Sequence, residues 1–283
     1  MINKTFRPMK PKRVDEIGEY DGRIFQEKID GGNSVVDVDL PNINIIHARD
    51  KTWNIRTYRY PELVKEIQQG KVLRNKCTYI GELTVLDKDG VGRLWTFGKR
   101  SHLENQFQIR RLSKIYPVVF YPHHIIQDNG EMLDTLTYEE IMRLLATYVN
   151  EGDHVKQIPT FENPQPLLEQ KGKIEGIVIK ELSGIYQFGK RGSGWTKKKF
   201  LQEKTVKFIS YIEKEIGINL FTDDNKEIHL SGNRVKLAVE QIEQKGYVMA
   251  EIEFYAETDK GFRDASIKSD FIKRIGNLKE AEI

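Results

Sequence analysis

Apolar positions recur at two different periods along this chain, and each change of period marks a change of element. From Pro61, a proline suited to a first helical position, Leu63 and Ile67 follow at helical spacing until Gly70 stops the run. Thr137 and Glu140 form a capping-box pair, and Ile141, Leu144, Leu145, Tyr148 and Val149 then trace one face of a second helix. Thr78–Asp87, Ile115–Tyr121 and Ile174–Glu181 read as strands bounded by Gly and Asp. After Lys199 the character changes. Val206, Phe208, Ser210 and Ile212 alternate, Glu227–Leu230 forms another short strand, Val235–Gln244 reads as a helix ended by Gly246, and Tyr247–Thr258 alternates again. Short strands around one helix predict a small five-stranded barrel, a common nucleic-acid-binding module. The fold class expected is α+β: a mixed domain over 1–202, then a barrel domain over 203–283, with the boundary near Leu201–Lys204.

A length of 283 residues suits two such domains, each able to bury a core without staples. The single cysteine, Cys77, excludes a disulfide framework and a four-cysteine zinc site, and is expected in the core. No run of apolar residues reaches membrane-spanning length, and the basic amino terminus has no apolar stretch behind it. A soluble, cytoplasmic, monomeric protein with no membrane partner is expected. The formal charge of +3 is too small to imply a polyanion partner, but its distribution is uneven. Residues 1–13 carry five basic side chains and no acid, and Tyr186–Lys207 carries seven against Glu203 alone. Either run alone is ordinary solvated surface.

Four ordered features point to chemistry. Lys28-Ile29-Asp30-Gly31-Gly32-Asn33 sets a lysine two residues before a carboxylate, with glycines that let backbone approach a ligand. Alone, this is a turn after a strand. Glu82 then lies inside the apolar run Tyr79–Leu83. Glu175-Gly176-Ile177-Val178-Ile179-Lys180 alternates so that Glu175, Ile177 and Ile179 share a face. Trp195–Lys199 places Lys197 and Lys199 together on one face of a strand. Charges seldom sit inside strands unless paired or used. His123-His124 suggests no metal site, because neighbours on a strand face opposite sides. Trp53 and Trp95 are expected to pack rather than stack on bases.

In that order, Lys-x-Asp-Gly, Gly-Glu, Glu-Gly-x-Val-x-Lys and Lys-x-Lys resemble the signature of the covalent nucleotidyltransferase superfamily, and the chain looks most like its ATP-dependent DNA ligases. Phe6–Met9, His47–Asp50, Arg59–Leu63, Tyr116–Ile126, Gly130–Glu140 and Gly189–Trp195 extend the likeness over residues 6–200. The resemblance implies an adenylation domain of nucleotidyltransferase type followed by an OB-fold, with ATP as substrate, magnesium, and nicked duplex DNA as partner. It implies that Lys28 attacks the α-phosphate of ATP to form lysyl-AMP, with Asp30 orienting the reaction. An ordinary lysine is a poor nucleophile at neutral pH, so burial and nearby cations would be needed to activate it. Glu82 would bond the ribose, Phe120 stack on adenine, Arg49 hold the ribose or the 5′-phosphate, and Glu175 place magnesium. Lys197 and Lys199 would neutralise the α-phosphate, and Glu27, Lys180, Arg263 and Lys268 would complete the nucleotide site.

Four departures matter, the first being Ile80 in place of the aspartate before Gly-Glu. Asn33 stands where these ligases carry arginine, as in many RNA ligases. Tyr121 replaces the aspartate after the stacking aromatic, and the last barrel motif is faint in Phe262–Lys268. An RNA ligase is thus the alternative reading. A non-catalytic nucleic-acid clamp is the alternative from another class, opposed by the intact Lys28, Asp30, Glu82, Glu175 and Lys197 set.

Overall fold

A computed structural model describes residues 8–47, 54–258 and 260–268. The chain divides into two compact units, Met1–Lys199 and Phe200–Ile283.

The first unit contains two five-stranded sheets. In the first, the strand order is Lys10–Arg13, Arg191–Lys199, Gly176–Glu181, Arg23–Glu27, Thr160–Phe161; all neighbours are antiparallel except the first pair. In the second, the order is Asn42–His47, Gly32–Asp39, Cys77–Val85, Val118–Asp128, Glu131–Met132, antiparallel throughout. The central strand Cys77–Val85 is buried on both faces, which is why it reads as an almost unbroken apolar run. Its two threonines are satisfied inside: Thr78 Oγ1 donates to Asp37 Oδ1 at 2.8 Å and Thr84 Oγ1 to the Asp30 carbonyl at 2.8 Å. Val35, Val36, Ile45, Tyr79, Ile80, Leu83 and Ile125 form the centre of the core, with Cys77 beside them.

Helix Pro61–Gln68 turns Leu63 and Ile67 into that core. Helix Tyr138–Tyr148 begins at the expected capping box, Thr137 accepting from the Glu140 amide while Glu140 accepts from the Thr137 amide. Thr137→Ala is therefore expected to cost about 1 kcal/mol, seen as a fall of roughly 2–4 °C in the melting temperature. An unchanged melting curve would show that the cap contributes nothing.

Two helices, Leu94–Ser101 and Gln106–Ile115, occupy the stretch before the strand expected over Ile115–Tyr121, which consequently starts at Val118 rather than Ile115. They are held by Arg100, a fully buried side chain. It donates to both Glu62 carboxylate oxygens at 2.7 and 3.2 Å, and to the Arg59 and Tyr116 carbonyls at 2.7 and 2.6 Å. A polar-looking helix is thus fixed from inside by a buried ion pair, which hydrophobic periodicity does not reveal. Trp95 on the first of these helices is 67% exposed, contrary to the packing role expected of it. Trp53 lies outside the described residues.

The second unit is built of short strands and one helix, but its strands lie in two sheets and not in a single closed five-stranded barrel. Gln202–Phe208, Val248–Phe254 and Ser266–Ile267 form one; Ser210–Glu213, Ile218–Phe221, Glu227–Leu230, Gly261–Arg263 and Ala256–Thr258 form the other. The alternating run from Val206 to Ile212 is broken at Ile209, where the chain leaves one sheet for the other and the Ile209 amide donates to the Phe221 carbonyl at 2.8 Å. Phe208, Leu220, Leu230, Ala250 and Ile252 fill the space between them. Helix Arg234–Lys245 stops at Gly246, whose φ of 78° is left-handed and whose amide caps the Ile242 carbonyl. No helix among the described residues is long and apolar enough to cross a membrane.

Candidate active site

The site begins where three strand ends meet. Arg23–Glu27 and Arg191–Lys199 both run antiparallel to Gly176–Glu181, which lies between them. Their carboxyl ends therefore flank its amino end. Lys28 follows the first strand, Glu175 precedes the middle one, and Lys199 closes the third opposite Gly176. The Lys28 amide donates to the Gly176 carbonyl at 2.9 Å. Gly176 has φ +155°, and a Cβ there would stand 2.2 Å from the Lys198 carbonyl oxygen, so only glycine lets the lysine-rich strand cross this close.

This crossing delivers two cations to one carboxylate. Lys28 Nζ lies 2.5 Å from Glu175 Oε2 and Lys199 Nζ 3.3 Å from Oε1. The Glu175 side chain is 4% exposed and that of Lys28 19%, so the acid is held inside while the amine retains an opening. A carboxylate so buried is stable only when paired. Lys197, on the same strand face as Lys199, has its pKa lowered first by burial, then by Lys28, Lys199 and Arg191, with Glu175 opposing. Three ammoniums around one carboxylate leave excess positive charge, the electrostatic complement of a phosphate chain.

The chain after Lys28 is pressed onto the second sheet. A Cβ on Gly31 would stand 2.4 Å from the Leu83 carbonyl oxygen, and one on Gly32 would stand 2.5 Å from Phe97 Cε1, so the paired glycines are required by contact. Asp30, also buried, lies within this turn. The strand that follows sets Asn33 opposite Glu82, and Glu82 in turn opposite Tyr121. Cross-strand partners share a face. Asn33, Glu82 and Tyr121 thus form one row, and Asn33 Nδ2 reaches Glu82 Oε1 at 3.4 Å.

Phe120 is not in that row. It pairs with Leu83, points to the opposite face and is fully buried in the main core, its ring so close beneath Gly81 that a Cβ there would meet it at 2.5 Å. The aromatic on Glu82's face is Tyr121, which packs with Ile29 and Val119. Its hydroxyl is pushed up to about 12 by burial, with Glu27 and Glu151 adding to the shift. Glu27 itself is raised by burial, against a lowering by Arg93. The sequence marks Tyr121 only as a departure from the family's aspartate; the cross-strand register with Glu82 is the signal that puts it on that carboxylate's face.

Lys180 is separate from the lysine cluster. It lies opposite Ile24, four residues before Lys28, and opposite Trp195. Its Nζ donates to Tyr138 Oη at 2.6 Å and to the His123 carbonyl at 3.3 Å, and sits 4.2 and 4.1 Å from the Tyr138 and Trp195 ring centroids. Burial alone drives its pKa well below the ordinary lysine value. Arg263 and Lys268 belong to the second unit. Arg263 lies over the Tyr255 ring, and Lys268 pairs with Glu203 at 2.6 Å and Glu251 at 3.7 Å. Arg49 lies outside the described residues.

Among the described residues no group of three or more His, Cys, Asp or Glu side chains gathers as a metal cage. Glu175 offers a lone carboxylate. That donor set fits magnesium, which takes one or two protein carboxylates and draws its other ligands from water and substrate phosphates.

The chain is similar in sequence and in fold to DNA ligases. The DNA ligase of Pyrobaculum arsenaticum is 23% identical over 275 residues, covering 92% of this chain and 44% of that protein. The DNA ligase of Nitrosopumilus maritimus is 25% identical over 214 residues, covering 69% and 35%. The chain spans less than half the length of these relatives. Among solved structures, mycobacterial DNA ligase D in complex with ATP and MES shares the fold at a TM-score of 0.58 and 16% identity, covering 96% of this chain and 98% of that one. A minimal-scaffold Lig E DNA ligase does so at 0.64 and 12% identity, covering 95% and 99%. Residues 8–199, which hold Lys28, Glu82, Glu175, Lys197 and Lys199, match the model of the ATP dependent DNA ligase domain, and the chain belongs to that family.

Proposed function

We propose that the chain is an ATP-dependent polynucleotide ligase that seals 5′-phosphate/3′-hydroxyl nicks in duplex DNA. The observation that carries this is the contact of Lys28 and Lys199 with the two oxygens of buried Glu175, within a unit of the ligase family. Lys28 Nζ attacks the α-phosphorus of ATP; the N–P bond forms, the bond to the β-phosphate oxygen breaks, and pyrophosphate leaves. Glu175 Oε2, at 2.5 Å, is the nearest acceptor for the proton that Lys28 gives up. Lys197 and Lys199 stabilise charge on the α-phosphate oxygens, and Asp30 steadies the turn that carries the nucleophile. Magnesium, held by Glu175, would neutralise phosphate charge. Glu82 and Tyr121 face the nucleoside, Tyr121 supplying the ring that stacks on adenine, with Glu27 at its border. AMP then passes to the 5′-phosphate, and the 3′-hydroxyl displaces it.

Duplex grip is supported by the edge of the first sheet. Exposed Lys10, Lys12 and Arg13 run alongside the strand that carries Arg191, with Lys190 beside them. These cations can track a phosphate backbone, so binding should weaken steeply with salt.

The test is sealing of a nicked all-DNA duplex with ATP and magnesium, beside nicks carrying RNA on the 3′-hydroxyl side, the 5′-phosphate side or both, with NAD and GTP as controls. Sealing of all-DNA with ATP alone is expected. Sealing only when RNA supplies the strand ends would overturn this in favour of an RNA ligase, the reading that Asn33 favours.

A further inference from the structure

Strand Val118–Asp128 carries an irregularity beside the site. Ile80 pairs with His124 and Gly81 with Pro122, so His123 is an extra residue with no cross-strand partner. Such a bulge re-aims side chains and frees backbone groups. The freed His123 carbonyl accepts from Lys180 Nζ and from Tyr138 Oη, each at 3.3 Å. Buried Lys180, remote from the nucleophile, thereby holds the bulge. His124 is stacked against Tyr186 at 4.2 Å between ring centroids, while the His123 ring is edge-on to Trp195 and its Nε2 lies 3.2 Å from Asn33 Nδ2.

Charge fixes the direction of these bonds. Asn33 must turn its NH₂ toward the Glu82 carboxylate, because an amide oxygen there would meet a carboxylate oxygen. The second N–H then points at His123 Nε2, which can accept only as a lone pair, leaving the ring proton on Nδ1. Burial first, then Lys180, hold the His123 pKa well below the ordinary histidine value. Asn33 Oδ1 and His123 Nδ1 are among the buried atoms without a hydrogen-bond partner in the described residues. An acceptor and a donor stranded beside a carboxylate are costly unless a ligand satisfies them.

We propose that bulged His123, fixed by Lys180 and Tyr138, is a positioning residue that holds the Asn33 carboxamide with its oxygen free to accept from a hydroxyl of the nucleotide sugar. The pair Asn33–Glu82 would then select a ribonucleotide over a deoxyribonucleotide as the adenylyl donor. This rests on the nucleotide site proposed above, and the experiment separates the two.

The rate of AMP attachment to Lys28 is measured with ATP, 2′-dATP and 3′-dATP, for the wild type and the variants His123→Phe, His123→Gln and Asn33→Ser. The wild type is expected to prefer ATP to at least one deoxy form by about tenfold or more in kcat/KM. His123→Phe removes the acceptor and should collapse that ratio toward one. His123→Gln, with an amide oxygen able to accept, should restore much of it, which a purely structural role would not predict. Asn33→Ser supplies the answer if His123→Phe does not fold, and should also lose the preference. A wild type indifferent to the sugar hydroxyls, or a ratio unchanged in His123→Phe or Asn33→Ser, overturns the inference while leaving the ligase reading intact. No AMP attachment from any donor in the wild type would sink the ligase reading itself.

Discussion

Replacing Lys28 with alanine is expected to abolish AMP attachment and nick sealing, with a loss of at least about 10⁴-fold in the rate of adenylation. The size follows from the role: a nucleophile is removed, not a binding contact. Lys199 and Lys197 stand close by but cannot replace it, because Lys199 engages the other Glu175 oxygen and both project from a different strand end. Lys28→Arg sharpens the test. A guanidinium can keep the ion pair with Glu175 and so preserve the fold, but it stays protonated and cannot attack phosphorus. Mass spectrometry after incubation with ATP and magnesium should therefore find one AMP on the wild-type chain, at Lys28, and none on either variant. A full adduct on Lys28→Ala would place the nucleophile elsewhere.

The residues around that lysine were legible in the sequence as ordered motifs, although Lys28 and Glu175 lie 147 residues apart. Lys28, Glu175 and Lys199 each sit at the end of a strand, and antiparallel pairing of those strands is enough to bring the ends together. What could not be read was which face of a doubly buried strand looks toward the site. Val118–Tyr121 is apolar at every position, so alternation does not distinguish Phe120 from Tyr121; only the register with Glu82 does. The bulge at His123 and the destination of Lys180 were hidden because apolar alternation marks neither a skipped cross-strand partner nor the hydrogen-bond partners of a buried lysine. The helices tied by Arg100, which lies at the end of the first of them, escaped because the buried residue that anchors them is charged, and the split of the second unit into two sheets is a matter of long-range pairing that strand propensity does not encode.

The exchange of roles between two adjacent aromatics gives the second large effect, and it is a crossed one. Phe120→Ala should destabilise the first unit by about 3–5 kcal/mol, because it empties a fully buried site beneath Gly81 that the close-packed sheet cannot refill. Tyr121→Ala removes a smaller share of core packing, since that ring belongs to a peripheral cluster with Ile29 and Val119. Its principal loss should be in kcat/KM for ATP, by about 10- to 100-fold, the worth of a base stacked on an aromatic face. Tyr121→Phe should keep nearly all of that, because the ring and not the buried hydroxyl does the stacking. Phe120→Leu, which keeps most of the volume, allows the core residue to be tested in a folded protein and should leave the KM for ATP close to wild type. If Phe120→Leu raises that KM sharply while Tyr121→Ala does not, adenine stacks on Phe120, and the row formed by Asn33, Glu82 and Tyr121 is not the nucleoside face.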